Sequence, residues 1–129
     1  MIERHHSLDG IELPDLPWSD ELNWAPIAQN VDYGLAGALI VQVGERRAGR
    51  PITLAGDDAT NYCSRAVLLQ LYQLASMPGK VMVLTLADGR RFDVMWRHGE
   101  GAIEARPIEH KIVQGPDDEY NVTLRFLTV

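Results

Sequence analysis

The rhythm of hydrophobic and polar positions changes along this chain. Residues 1–24 show no period. Leu13-Pro14-Asp15-Leu16-Pro17-Trp18 carries two prolines, which exclude helix and favour an extended path. Ile11, Leu13, Leu16 and Trp18 give the stretch apolar weight, so residues 1–24 read as an extended arm that packs on its own core or on a neighbour. From Ala25 the period is two. Ile27, Gln29, Val31 and Tyr33 share one face of a strand, with Ala28, Asn30 and Asp32 on the other. The apolar run Leu35–Val43 follows, and a tight connection near Gly34 predicts a hairpin. Gly44–Arg50 reads as a polar loop, and Pro51–Ala55 as a short strand whose leading proline suits a strand start or an edge.

One segment has the helical period. Val67, Leu68, Leu71, Leu74 and Ala75 form a one-sided apolar stripe, which predicts a helix lying on a sheet. Ser64 is the N-cap candidate, with Asn61 a rival one turn earlier, and Pro78-Gly79 stops the helix. Alternation then returns. Residues 81–87 and Phe92, Val94 and Trp96 flank Asp88-Gly89, which predicts a hairpin with a type I′ turn and positive φ at both central residues. Residues 102–106 form a further strand stopped by Pro107. The last strand, 120–129, alternates Tyr120, Val122, Leu124 and Phe126 against polar neighbours. The sum is a mainly β, α+β chain: an antiparallel β-sandwich or open barrel of about seven strands with one flanking α-helix, spanning residues 25–129 as a single domain. No βαβ alternation supports a doubly wound fold.

A length of 129 residues fits one domain. Twelve Lys and Arg against eighteen Asp and Glu leave a charge of −6, which argues against specific nucleic-acid binding. The single Cys63 makes no internal disulfide, and Leu35–Val43 is too short to span a bilayer, so no membrane role is expected. Met1–His6 lacks the apolar core of a secretory signal.

Candidate chemistry is thin. His5-His6 has no third metal ligand at a sensible spacing. His98 and His110 lie near Glu100, Glu104 and Glu109 but read as scattered strand-end charges. Cys63 precedes the helix, where a thiol can be activated, yet a small apolar residue near the cap is the favoured reading. Asp57-Asp58 and Asp117-Asp118-Glu119 lack the spaced ligands of a calcium loop. Gly44–Gly49 is basic but lacks the ending of a phosphate-binding loop, and Asn121-Val122-Thr123 is a glycosylation triplet without a secretory context. The expectation is no enzyme, no cofactor and no metal. Trp96 is expected in the core. Trp18 and Trp24 either anchor an interface or fold back on their own domain.

In order along the chain stand Leu13-Pro14-Asp15-Leu16-Pro17-Trp18, Ala28-Gln29, Gly49-Arg50-Pro51-Ile52-Thr53-Leu54, and a helix from Ser64-Arg65-Ala66. Leu84–Arg90, Val94–His98, Ile103–Pro107 and Val122–Leu127 follow. This set resembles the small tail and baseplate proteins of tailed bacteriophages, close to the distal-tail, tail-tube-like ring group. Val67 stands where a capping box would place Glu. The resemblance implies a structural ring subunit around the tail axis that joins tail tube to hub, located in the virion and made in the host cytoplasm. Its partners would be copies of itself, a hexamer favoured over a trimer, and the neighbouring tube and hub proteins. It implies no catalytic residues. Such a ring closes by head-to-tail contacts. The candidate interface residues are Leu16, Trp18 and Trp24 on the arm, with Arg46, Arg47 and Arg50 meeting Asp117, Asp118 and Glu119 across a contact. A non-phage adaptor or secretion-tube-like binding module is the alternative, and a small hydrolase using Cys63 ranks below both.

Overall fold

The structure is a computed structural model that describes residues 5–45, 49–55 and 62–129. Its elements in chain order are β1 (Ser7–Leu8), β2 (Ile11–Glu12), β3 (Ile27–Tyr33), β4 (Leu39–Glu45), β5 (Pro51–Ala55), β6 (Tyr62–Ser64), α1 (Arg65–Ala75), β7 (Met82–Thr85), β8 (Arg91–Trp96), β9 (Ile103–Pro107) and β10 (Glu119–Thr128). The seven strands expected from alternation are all present. Three short ones, β1, β2 and β6, add to them because they are too short to show a period.

Among the described residues, eight strands form one antiparallel sheet, six in the order β2-β1-β7-β8-β10-β5 and two more, β6 and β9, paired with β10. The long β10 is its axis. The first half of β10 lies between β6 and β9 and its second half between β5 and β8. This handover of partners, added to ordinary strand twist, goes with a sheet curled into a half-barrel, the open form of the expected architecture. Alternation along β10 puts Tyr120, Val122, Leu124 and Phe126 inside. Met82, Leu84 and Val94 complete the same face from β7 and β8, and Trp96 stacks on Phe126 with ring centroids 4.6 Å apart.

The helix closes the half-barrel with Leu68 and Leu71, both buried. Ser64 is its N-cap, accepting the Val67 N–H through its side chain, and Ser76 ends it. Asn61 lies outside the described residues. The turn before β10 supplies further caps: the Asp118 and Pro116 carbonyls accept the Arg65 and Ala66 N–H groups at 2.9 and 3.1 Å.

The arm does not stay apart. β1 pairs with β7, and Leu8, Leu13 and Leu16 are core residues. Residues 17–19 run along the outer edge of β5, where Ser19 N–H donates to the Thr53 carbonyl and Ala55 N–H to the Pro17 carbonyl. The outermost strand is thereby covered. Part of the expected arm thus joins the sheet through β1, β2 and the Trp18–Leu54 bridge. Residues 5–19 belong to the sheet, and the piece that leaves it is β3–β4, a separate two-stranded ribbon.

Candidate interface

The ribbon forms for local reasons. Its strands pair in register from Ile27↔Glu45 to Tyr33↔Leu39. The Gly34–Ala38 loop closes them through Gly34 N–H to the Ala38 carbonyl and Gly37 N–H to the Gly34 carbonyl, at 2.7 and 2.9 Å. Directly opposed residues share a face, so Ile27, Gln29, Val31, Tyr33, Leu39, Val41 and Val43 stand together. Among the described residues, no other element covers them. The six apolar members are 43 to 69% exposed, and Leu35 at the tip is fully exposed. Asn30, Asp32, Ile40 and Gln42 take the opposite face. The result is an amphipathic ribbon with its apolar side in water.

Sequence reasoning paired these strands and placed them in the single domain of residues 25–129. It did not foresee that their apolar residues stand exposed. The one local signal is Gln29, set in the middle of the apolar face. A buried amide there would need partners that a core rarely offers.

The residues proposed for an interface from sequence fare differently. Leu16 is 1% exposed and packs in its own core, so in this fold it offers no surface to a neighbour. Trp18 also folds back. Its ring meets Phe92 edge-on at 5.7 Å, and its Nε1 donates to Asp20 Oδ1 at 2.8 Å. Asp20 in turn accepts the Thr53 N–H and hydroxyl. Arg50 lies 4.5 Å over Trp18 and 5.8 Å from the centre of Trp24, and its Nη2 donates to the Glu21 carbonyl. Arg90 covers Trp18 too, 5.3 Å from its centre, and pairs with Glu21 and Asp88. Arg50, Trp18 and Trp24 thus serve an intrachain cluster that pins the residues leading into the ribbon. Cation–π contacts of this kind contribute about 0.5–1 kcal/mol at exposed sites. Arg46 and Arg47 lie outside the described residues, as do Asp57 and Asp58.

The acidic turn is partly engaged as well. Asp118 pairs with Lys111 at 2.8 Å and accepts the Gly115 N–H, and these bonds hold its carboxyl below the usual range. Asp117 and Glu119 are exposed. Arg50 is thus held by its own tryptophans and Asp118 by Lys111.

The other candidates separate in space. Cys63 is buried on β6, and burial pushes its thiol up to about 11, away from the thiolate a nucleophile needs. It borders an open cleft that also holds His5, Glu12 and Asp15. There His5 Nδ1 sits 2.8 Å from Asp15 and its Nε2 3.4 Å from Glu12. His6 is built into the fold. Its Nδ1 accepts the Ala87 N–H, so Nε2 carries the proton and donates to the Leu16 carbonyl at 2.8 Å. His98 and His110 border two different clefts. Among the described residues, no three His, Cys, Asp or Glu side chains gather into a group that could hold a metal. No helix among them is long and apolar enough to cross a membrane.

Comparison with protein-family models, curated proteins and solved structures finds no match for this chain.

Proposed function

We propose that this chain is a structural subunit of a bacteriophage tail tip or baseplate, forming a homo-oligomeric ring around the tail axis between tube and hub. The observation that carries the reading is the β3–β4 ribbon. A lone two-stranded ribbon is marginal in water, and this one turns six large apolar side chains and its tip outward. At roughly 100 Å² for each of the six half-exposed side chains and about 200 Å² for the fully exposed Leu35, the face and tip amount to on the order of 800 Å². That is the share of one partner in a standard interface and beyond an ordinary surface patch. A surface of this kind belongs to a protein that is finished by assembly. The ordered resemblance to small tail proteins along the chain supports placing that assembly in a phage tail.

The test is mass spectrometry of density-purified particles from the host that carries the gene. The expected result is this chain at a fixed, small copy number relative to capsid protein. Its presence in the lysate with absence from particles would reject the reading. Gene neighbourhood separates a phage ring from a secretion-tube component: tape-measure and hub genes beside it favour the phage.

A further inference from the structure

The helix that closes the half-barrel has an uncharged outer face. Its exposed positions are Ala66, Leu69, Gln70, Tyr72 and Gln73, and Ser76, Met77 and Val81 beyond its end are exposed too. Leu69 and Tyr72 are 47 and 64% exposed. Arg65, the helix's one charged residue, is turned onto Tyr120, with Nη1 donating to the phenol oxygen at 2.6 Å. In a chain with 23% charged residues, the solvent side of a helix ordinarily carries charge. Loss of charge together with Tyr and Met is the composition of an interface core.

We infer that this helix face seats the apolar side of the β3–β4 ribbon of a second copy of the chain. The inference rests on the self-assembly reading above and names the surface that receives the ribbon. Charge is the first argument. Apart from Glu45 in register with Ile27 at the ribbon's base and Lys80 between Met77 and Val81, the positions on the two faces are uncharged, so their centres meet without stranding an ion. Area is the second. Leu69, Tyr72, Met77 and Val81 expose on the order of 450 Å². Ala66, Gln70 and Gln73 widen this face, and because a contact buries about as much on each side, a matching part of the ribbon brings the total to roughly the 1,000 Å² that a specific contact needs. Geometry is the third. The ribbon and the helix face are both exposed in the same chain, so the ribbon does not cover its own helix. A twofold ribbon-on-ribbon pairing would leave the helix face in water. A head-to-tail contact buries both faces at every joint, and repeated by rotation it closes a ring.

Two variants test this, Val41→Glu on the ribbon and Leu69→Glu on the helix. Both positions are exposed, so unchanged thermal melting is expected to show that each still folds. Val31→Lys and Tyr72→Lys repeat the experiment with the opposite charge should either first variant fail to fold. In sedimentation velocity at high micromolar concentration, the wild type is expected to be oligomeric and each variant alone monomeric. An equal mixture of the two variants is expected to stop at a dimer, because one supplies an intact helix face and the other an intact ribbon. A helix variant that assembles like the wild type overturns the inference and leaves self-assembly standing. A mixture that stays monomeric also overturns it. A wild type that is monomeric overturns it too, while the place of the chain in particles is decided separately by their mass spectrometry.

Discussion

Asp-Gly occurs twice in this chain, and the two copies solve different problems. At Asp9-Gly10 both residues have positive φ, +49° and +84°, as a type I′ turn requires, and Leu8 faces Ile11 directly across the two-residue loop. At Asp88-Gly89 only the glycine is positive, at +99°. Gly89 N–H donates to the Leu86 carbonyl and Leu86 N–H to the Arg90 carbonyl, which makes a three-residue loop in which the glycine forms the bulge. The type I′ turn expected at residue 88 is therefore corrected: Asp88 spends its carboxylate on Arg90 instead. Arg50 and Cys63 make the same point about side chains. A basic loop residue read as a partner's contact is held by two tryptophans of its own chain, and Cys63, read as a small apolar residue near the helix cap, is 2% exposed beneath the cleft it borders. At pH 8 a rise in thiol pKa from the usual range to about 11 lowers the thiolate fraction on the order of 100-fold. Alkylation of Cys63 by iodoacetamide is expected to be slower by at least that factor in native protein than in denaturant. Equal rates would show the thiol to be open.

Elements were the most legible level. The stripe Val67–Ala75 and the alternation of β7, β8 and β10 set type and facing without reference to the rest of the chain, because one buried face imposes its own period. Boundaries were less so. The run Leu35–Val43 looked like one strand, yet Leu35 and Ala36 form a loop tip and β4 starts at Leu39, since the Gly34–Ala38 closure sets the register. Turn glycines lock such registers. Gly10→Ala and Gly89→Ala each meet open space, so their cost comes from φ alone. Each is expected to destabilise by about 1–2 kcal/mol in chemical denaturation. A neutral result at either would mean that the loop has another conformation.

At the scale of the whole molecule, the chain exchanges the roles expected of its two extended parts. Leu8, Leu13 and Leu16 are core, whereas the far more regular β3–β4 stands outside it. Leu16→Ala is accordingly expected to cost about 2–5 kcal/mol, the range for a buried leucine in a packed interior. A loss below about 0.5 kcal/mol in urea unfolding would show that Leu16 is not packed in the isolated chain.

The sequence by itself determined the class of fold, the helix with its Ser64 cap and the buried faces of the long strands. These follow from periodicity and capping, which act over a few residues. Only the tertiary structure decided which apolar segments fill the half-barrel. The irregular arm carries its leucines to the open edge and seam of the sheet. β3 and β4 satisfy their backbone bonds on each other, and among the described residues no neighbouring strand draws them in. Alternation marks a strand face that favours burial. It does not say whether the covering surface lies in the same chain or in the next.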